Sequence, residues 1–242
     1  MVRRVRSFAL VMTFGLLVSA CTWPMFGFGP DHTGVNPVIT NVTTSNVGTF
    51  TLKGTATTGG AVSSSPALVN GVVYVGSGDG KVYAFSQYGT TNCAGSPKTC
   101  TPLWTATTGG GVGSPAVVNG VVYVGSSDGN VYAFDAAGGA ATCSGTPKTC
   151  TPLWTATTGG GIVFSSPAIE NGIVYIGSGD DKLYAFDAAG STNCSGTPKT
   201  CTPLWSAPTG GPVESSPAPG GDAVYVGSDD HNVYAFGLPS EG

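Results

Sequence analysis

Short apolar segments recur along this chain, and a turn rich in glycine and aspartate divides each of them in two. The first is VVYVGSGDGKVYAF at residues 72–85, and related segments lie at 121–134, 173–186 and 223–236. Short runs of β-branched and aromatic residues bounded by turn residues are typical of strands, and Asp-Gly between β-branched runs indicates a hairpin turn. The pattern therefore predicts four pairs of antiparallel strands.

The repeat continues on both sides of each strand pair. A segment such as Ser65-Pro66-Ala67 precedes each pair, and a Leu-Trp segment such as Leu103-Trp104 follows the first three. The tyrosines that mark the copies are 49, 52 and 50 residues apart: Tyr83, Tyr132, Tyr184 and Tyr234. Units of about fifty residues with four strands each predict propeller blades. The predicted fold class is all-β, a β-propeller of four-stranded antiparallel blades with four repeats over residues 49–237.

The two ends of the repeat array indicate how the predicted propeller closes. The last unit stops after its third strand, at Phe236, and an extra copy of the fourth strand precedes the first unit at residues 50–57, with Gly54 in the place of the tryptophan. We expect this N-terminal strand to complete the last blade, because closure removes exposed strand edges. The alternative is a homodimer, in which two chains together form an eight-bladed ring.

The N-terminus has the layout of a secretory signal. Arg3, Arg4 and Arg6 precede an apolar stretch at residues 8–18, which is too short for a comfortable membrane span. The end of this segment, Val18-Ser19-Ala20-Cys21, resembles the bacterial lipoprotein cleavage box, which implies lipidation of Cys21. An ordinary signal peptide is the alternative. We therefore divide the chain into a signal peptide (1–20), a lead-in (21–48), the propeller (49–237) and a tail (238–242), and expect an exported protein anchored by lipid to the outer face of a bacterial membrane, on its periplasmic or extracellular side.

Six of the seven cysteines form three pairs with one spacing. The pairs are Cys93 and Cys100, Cys143 and Cys150, and Cys194 and Cys201. Each pair brackets a Gly-x-Pro loop, so we predict three local disulfides that close surface loops and contribute little to the topology. Zinc binding is the alternative, but the spacing is longer than in zinc knuckles and no histidine lies nearby.

The charge of the exported part excludes one class of partner. All three arginines lie in the first six residues, so the chain from residue 21 onward has six lysines and thirteen acids, a formal charge of 6 − 13 = −7. Nucleic-acid binding needs a basic surface, and we predict no such partner.

The segment SSPALVNGVVYVGSGDGKVYAF (64–85), with the later Leu-Trp, resembles the pyrroloquinoline-quinone (PQQ)-type propeller repeat. This repeat occurs in quinoprotein alcohol dehydrogenases and in the outer-membrane-assembly lipoprotein of Gram-negative bacteria. Resemblance to the dehydrogenases implies PQQ in a central funnel, a calcium ion held by acidic and amide side chains, a catalytic aspartate and a disulfide between adjacent cysteines. The sequence has no adjacent cysteine pair and no arginine beyond Arg6 to hold the carboxylates of the cofactor.

The function predicted from the sequence is an exported cell-envelope binding or scaffolding propeller, with no catalytic residue, no metal site and no cofactor assigned. The alternative is a PQQ-dependent oxidoreductase or a subunit of one, with calcium as a second cofactor. The expected partner is an envelope protein, peptide or glycan on one propeller face, with the membrane contacted through the lipid anchor.

The remaining polar residues are interpreted as structural. The acids in the Asp-rich turns are expected to bond their own backbone, although turns converging on one face could share a calcium ion. These acids are Asp79, Asp128, Asp180, Asp181, Asp229 and Asp230. His32 is expected to pack across the propeller and His231 to lie in a turn. The four-strand parse places the cysteine loops on one face, with Lys98, Lys148 and Lys199, and the acidic turns on the other.

Overall fold

A computed structural model describes residues 24–30, 32 and 41–237 of the chain. The predicted signal peptide, Cys21 and the tail at 238–242 lie outside these residues. One 3-10 turn, Val47–Thr49, precedes a series of strands. Across the described residues, no helix has both the length and the apolar character needed to cross a membrane.

Short strands make up almost all of the regular structure. In chain order they are β1 (Gly54–Ala56), β2 (Ala67–Val69), β3 (Val72–Ser77), β4 (Lys81–Ser86), β5 (Cys93–Ala94), β6 (Lys98–Cys100), β7 (Trp104–Thr107), β8 (Ala116–Val118), β9 (Val121–Gly125), β10 (Asn130–Asp135), β11 (Cys143–Ser144), β12 (Thr149–Cys150), β13 (Trp154–Thr157), β14 (Ala168–Glu170), β15 (Ile173–Ser178), β16 (Lys182–Asp187), β17 (Cys194–Ser195), β18 (Lys199–Cys201), β19 (Trp205–Pro208), β20 (Ala218–Gly220), β21 (Ala223–Gly227) and β22 (Val233–Gly237).

The predicted blades are confirmed. Blade 1 has the order β2-β3-β4-β7, blade 2 β8-β9-β10-β13 and blade 3 β14-β15-β16-β19, while blade 4 has the three strands β20-β21-β22. Neighbouring strands within a blade run antiparallel, and one row of paired residues crosses blade 1 from Ala67 through Tyr74 and Ala84 to Trp104. The same Ala-Tyr-Ala-Trp row crosses blades 2 and 3, so each blade presents alternating small and large side chains to its neighbour.

The cysteine loops differ from the expectation of simple surface loops. Each forms a β-hairpin, and the second strand of the hairpin pairs in parallel with the fourth strand of the preceding blade: β12 pairs with β7, and β18 with β13. The first two blades therefore continue into six-stranded sheets that include a hairpin from the next blade. Backbone groups at the outer edge of each fourth strand bond to the hairpin, which makes the hairpins links between blades.

The extra N-terminal copy forms β1, whose hairpin pairing is that of a fourth strand. One edge of β1 pairs in parallel with β6, as β7 does with β12, giving a three-stranded sheet β1-β6-β5. Within residues 41–237 the other edge of β1 has no partner strand, and neither has the outer edge of β22.

The core lies between the blades. Trp104 and Tyr74 of blade 1 both donate a hydrogen bond to the carbonyl of Ala136 in blade 2, at 3.1 and 3.0 Å. Trp154 and Tyr123 bond the carbonyl of Ala188 in the same way, also at 3.1 and 3.0 Å. The expected packing role of these aromatic residues is confirmed for both tryptophans, which are buried.

Glycines allow the blades to approach closely. A Cβ atom added at Gly76 would lie 2.2 Å from the Gly113 carbonyl oxygen of the next blade, and one at Gly125 would lie 2.3 Å from Cγ2 of Ile162. Real Cβ atoms do not approach other atoms so closely. Each junction between blades therefore depends on a glycine in its second strand.

Part of the lead-in packs against the blades. The carbonyl of Pro24 accepts a 2.7 Å hydrogen bond from the Val117 amide of β8. Met25 is buried in the cluster that includes Ala116 of β8 and Ile169 of β14. Since β8 and β14 are the first strands of their blades and contact each other, Met25 fills space on the inner side of the array.

Candidate functional site

The Asp-rich turns form a repeated hydrogen-bond unit, which we call the Asp-Tyr unit. In blade 2, Oδ1 of Asp128 accepts a bond from the Asn130 amide at 2.9 Å, and Oδ2 accepts one from the Tyr132 hydroxyl at 2.6 Å. The same carboxylate accepts a 2.8 Å bond from the Gly109 amide in the Thr-Gly segment that joins blades 1 and 2. The aspartate therefore closes its own turn and also holds the connection between two blades.

The other blades repeat this unit. The pairs are Tyr83 with Asp79 at 2.5 Å, Tyr184 with Asp180 at 2.6 Å, and Tyr234 with Asp230. A glycine amide of the Thr-Gly segment donates to each unit in turn, from Gly59, Gly159 and Gly210. The predicted structural role of these four aspartates is in agreement with this geometry.

The surroundings of the Asp-Tyr units lower the pKa of the aspartates and raise the pKa of the tyrosines. Burial raises the pKa of Asp128, but hydrogen bonds from Tyr132 and the Asn130 amide outweigh it, so the pKa lies below its ordinary value. Burial and the bond to Asp128 raise the pKa of Tyr132. In blade 4 the bond from Tyr234 lowers the pKa of Asp230. At neutral pH each carboxylate is ionised and accepts bonds, and no acid with a raised pKa stands ready to donate a proton.

The candidate calcium ligands are not brought together. Asp181 and Asp229 neighbour the Asp-Tyr units without joining them, and among residues 24–30, 32 and 41–237 no three His, Cys, Asp or Glu side chains form a metal-binding group. His231 lies in the turn of blade 4 with a φ of 72°, and the His32 ring packs edge-on against Phe26 with centroids 5.4 Å apart. The absence of a metal site remains a prediction.

On the cysteine face, the predicted disulfides are formed between Cys93 and Cys100, Cys143 and Cys150, and Cys194 and Cys201. The lysines of this face are engaged rather than free. The ammonium groups donate to backbone carbonyls of the preceding loop, Lys98 to Gly89 at 2.6 Å, Lys148 to Gly138 at 3.0 Å and Lys199 to Gly190 at 2.8 Å. They stabilise the loops beside the hairpins.

An apolar groove opens between blades 3 and 4 on the same face. It is a cavity of about 460 Å³ whose apolar lining includes Tyr175, Leu204, Trp205, Val224 and Phe236, and we call it the Trp205 groove. Trp205 is 40 % exposed, whereas the equivalent Trp104 and Trp154 are 2 % and 1 % exposed. The Trp205 groove is thus the place where the aromatic row of a blade reaches the surface.

Comparison with the equivalent positions in blades 1 and 2 explains why Trp205 is exposed. Trp104 lies under the loop at residues 136–139, so close that a Cβ atom on Gly138 would be 2.3 Å from its Cδ1 atom, and Gly190 covers Trp154 in the same way. Blade 4 ends at β22 in the described chain and provides no hairpin for blade 3. The outer edge of β19, which carries Trp205, is therefore unpaired in the described part of the chain.

A family model described as outer membrane protein assembly factor BamB matches residues 47–191 and 145–238. The chain belongs to this family. It is a PQQ-type repeat protein, as the sequence predicted. No curated protein sequence matches the chain.

Solved structures share the fold of this BamB-family chain. The quinohemoprotein alcohol dehydrogenases of Comamonas testosteroni and of Pseudomonas putida HK5 (ADHIIG) superpose with TM-scores of 0.61 and 0.60, at 19 % and 20 % identity, over 86 % of the chain. The chain spans only 35 % and 34 % of those two structures. The computationally designed protein Ika4 superposes with a TM-score of 0.57 at 16 % identity, over 77 % of the chain and 98 % of its own.

The residues of this BamB-family chain do not fit PQQ. Each described cysteine belongs to a hairpin disulfide with a sequence separation of seven, so none forms the adjacent pair that the dehydrogenase resemblance implies. No arginine lies beyond Arg6. The four aspartates of the Asp-Tyr units already accept bonds from tyrosine hydroxyls, and Asp128 and Asp230 also accept bonds from glycine amides.

Sequence reasoning missed the Trp205 groove. The motif around Trp205 is the same Leu-Trp as in the first two blades, so no local signal distinguishes it. The number of hairpins did carry a signal. The described chain has three cysteine hairpins, which pair with β1, β7 and β13, so none of them is left to pair with β19.

Proposed function

We propose that this chain is an exported cell-envelope protein that binds a partner protein by adding an extended segment of that partner to β19. The family to which the chain belongs is described as an outer membrane protein assembly factor, which supports a binding role in the envelope. Three disulfides support export, because such bonds persist in oxidising compartments. The predicted lipid on Cys21 would hold the propeller at the membrane.

The observation that carries the proposal is the free outer edge of β19 beside the Trp205 groove. In blades 1 and 2 the same edge binds a parallel strand, as in the 3.0 Å bond from the Thr105 amide to the Lys148 carbonyl. A sheet edge with a side-chain groove beside it is the arrangement used in β-strand addition, where backbone bonds give affinity and pockets give specificity.

The equivalent junctions define the chemistry of the segment. It runs parallel to β19, as β12 runs parallel to β7. In blade 1 a separate element, the loop after β10, supplies the carbonyl of Ala136 that Trp104 and Tyr74 share. Among the described residues neither Trp205 nor Tyr175 has that acceptor.

Site-specific photo-crosslinking in intact cells tests the proposal. A photoreactive amino acid at Leu204, which is 40 % exposed, should capture a partner protein. The matched control is the same amino acid at Leu153, which occupies the equivalent position in blade 2 beneath a hairpin. Trp205→Ala should abolish the Leu204 adduct. Equal adducts from the two positions, or none from Leu204, would rule out the β19 edge as the binding site.

Localisation is tested separately. Cys21→Ser should move the protein from the membrane fraction to the soluble exported fraction, because it removes the predicted site of lipid attachment. If the variant stays with the membrane, the anchor is not on Cys21, and binding at β19 can still be judged from the crosslinking.

A further inference from the structure

We propose that two copies of this chain close a single ring by exchanging β1, each copy giving its β1 to the outer edge of β22 in the other. Each copy contains three four-stranded blades and one three-stranded blade. Two copies joined in this way form eight blades. The joint is independent of the partner proposed for β19, whose edge stays free in the ring.

The two incomplete sheets are the two halves of one complete sheet. The complete sheet of blade 1 has the order β2-β3-β4-β7-β12-β11. The sheet of blade 4, β20-β21-β22, matches its first three strands, and the sheet β1-β6-β5 matches its last three. Joining β22 to β1 therefore reproduces the six-stranded order of blades 1 and 2.

The register of the joint follows from the complete blades. β10 pairs with β13 so that Asn130 lies opposite Thr157 and Val131 opposite Ala156. The equivalent residues at the free edges are Val233 of β22 with Asn232 just before it, and Ala56 of β1 with Thr57 just after it. The residue types are the same at each of these positions.

Side chains along the joint are complementary. The Thr157 hydroxyl donates a 2.8 Å bond to the Asn130 side-chain oxygen in blade 2, and the joint would place Thr57 beside Asn232 in the same way. Val131 and Ala156 are both fully buried, whereas Val233 is 79 % exposed and Ala56 is exposed. Pairing would cover an apolar pair that the complete blades keep away from water.

A second contact lies on the opposite side of the joint. The Thr108 amide and hydroxyl both donate to the carbonyl of Gly80 in the preceding blade, at 2.8 and 3.0 Å, and Thr158 bonds Gly129 in the same way. The equivalent pair at the joint is Thr58 with the carbonyl of His231. Among the described residues the Thr58 hydroxyl donates only within its own segment, to Gly60 at 2.8 Å.

The junctions within one chain favour a second copy as the donor of β1. The junctions between blades 1 and 2 and between blades 2 and 3 have the same hydrogen bonds, with distances that agree within 0.1 Å, so successive blades are related by one repeated step. After these steps β22 and β1 belong to separate sheets. Two-fold assemblies are the commonest closed oligomers, and two copies can pair the outer edge of β22 with β1 at both joints.

Cysteine crosslinking between single variants tests the exchange. Full-length chains carry Cys21→Ser so that each added cysteine is the free thiol, and Thr57→Cys protein is mixed with Asn232→Cys protein under mild oxidation. We expect a covalent dimer of the two chains. The control is Ser45→Cys mixed with Asn232→Cys, which should give no comparable product, since Ser45 lies before β1.

The double variant Thr57→Cys/Asn232→Cys distinguishes the alternative closure. A crosslink within one chain, without any product from the mixed single variants, would overturn the proposal in favour of a ring closed by the chain's own β1. The absence of both products would overturn the pairing of β22 with β1 altogether.

Sedimentation equilibrium provides a second readout that needs no added thiol. The chain should have twice the mass of a monomer, and Val233→Lys should weaken the dimer at least tenfold because it buries a charge at the joint. Val163→Lys changes another valine, which is 50 % exposed and lies between β13 and β14, and should leave the dimer intact. A monomeric parent chain, or equal effects of the two lysines, would contradict the exchange.

Discussion

At the scale of residues, the Asp-Tyr units join the turns of one blade to the next, and their ionisation links stability to pH. A carboxyl whose pKa is depressed in the folded state contributes stability that is present above its unfolded value, near 3.9, and lost as the pH falls through the folded pKa. The pKa values of Asp79, Asp128, Asp180 and Asp230 all lie below the ordinary value. The protein should therefore lose stability progressively below about pH 4.

Tyr132→Phe tests this link in one blade. The variant removes the hydroxyl that donates to Asp128, so unfolding at pH 7 should require about 1–2 kcal/mol less free energy, the usual contribution of a hydrogen bond to a charged group. At pH 3 the difference should shrink, because the unfolded carboxyl is already protonated. Urea unfolding at both pH values measures it. Tyr88→Phe, at a hydroxyl with no described bond on an exposed ring, is the control and should have no effect.

The turn position after each aspartate has a left-handed backbone, and the residue there differs between blades. Gly80 and Gly129 have φ values of 77° and 82°, whereas Asp181 has a φ of 65°. Asp181→Gly should increase the free energy of unfolding by about 0.5 kcal/mol and raise the thermal midpoint slightly, since glycine adopts this region without strain. Gly129→Ala should lower the midpoint, and a stable Gly129→Ala protein would show that the turn is not strained by a side chain.

At the scale of elements, the cysteine hairpins bind the blades together. The hairpin closed by Cys143 and Cys150 lies on β7, whereas the hairpin closed by Cys93 and Cys100 lies on β1. Both disulfides close rings of equal length, so the loss of chain entropy in the unfolded state is the same for the two. Any difference in stability between the two variants that each lack one disulfide therefore reports the contacts that the hairpins make.

Cys143→Ala/Cys150→Ala should reduce the free energy of unfolding by up to about 2.5 kcal/mol, the chain-entropy estimate for a ring of this size. It should also expose the Thr105 amide, which bonds Lys148 at 3.0 Å, to hydrogen exchange. Cys93→Ala/Cys100→Ala is the matched variant and should leave the exchange of Thr105 unchanged. Equal exchange at Thr105 in both variants would mean that the hairpin strands do not depend on their disulfides.

The strands within each blade were predictable because short β-branched runs and the turns between them are local signals. The parallel pairing of β12 with β7 was not, since a two-residue strand carries no periodicity and its partner lies about forty residues earlier in the chain. The three disulfides followed from spacing alone. The exposure of Trp205 did not, because it depends on the lack of a hairpin among the described residues of blade 4 and not on any residue near Trp205.

At the scale of the whole molecule, the fold does not choose between a binding protein and a dehydrogenase. The family includes an envelope assembly factor by description, and the same fold occurs in quinohemoprotein alcohol dehydrogenases. The distinction rests on residues: the turn aspartates are committed to the Asp-Tyr units, the described cysteines to hairpins, and Met25 fills the inner side of the array.

Adding PQQ and calcium to the purified protein should give neither dye-linked oxidation of alcohols or sugars nor a rise in the thermal midpoint. The physical reason is that the chain has no arginine beyond Arg6 to hold the carboxylates of PQQ. A ligand that binds the folded state raises its midpoint even without turnover, so the second readout detects binding alone. A PQQ-dependent rise would reopen the oxidoreductase alternative.

The segments that join the blades are also sites at which recombination can change the number of repeats. Residues 101–111 and 151–161 are identical, TPLWTATTGGG, and each contains the fourth strand and the Thr-Gly segment of a blade junction. Recombination between the two stretches deletes or duplicates fifty residues and leaves every junction that remains with the same sequence. Because each unit lends its hairpin to the unit before it, the shortened or lengthened product still pairs every internal strand, so the number of blades can drift between lineages without a redesigned interface.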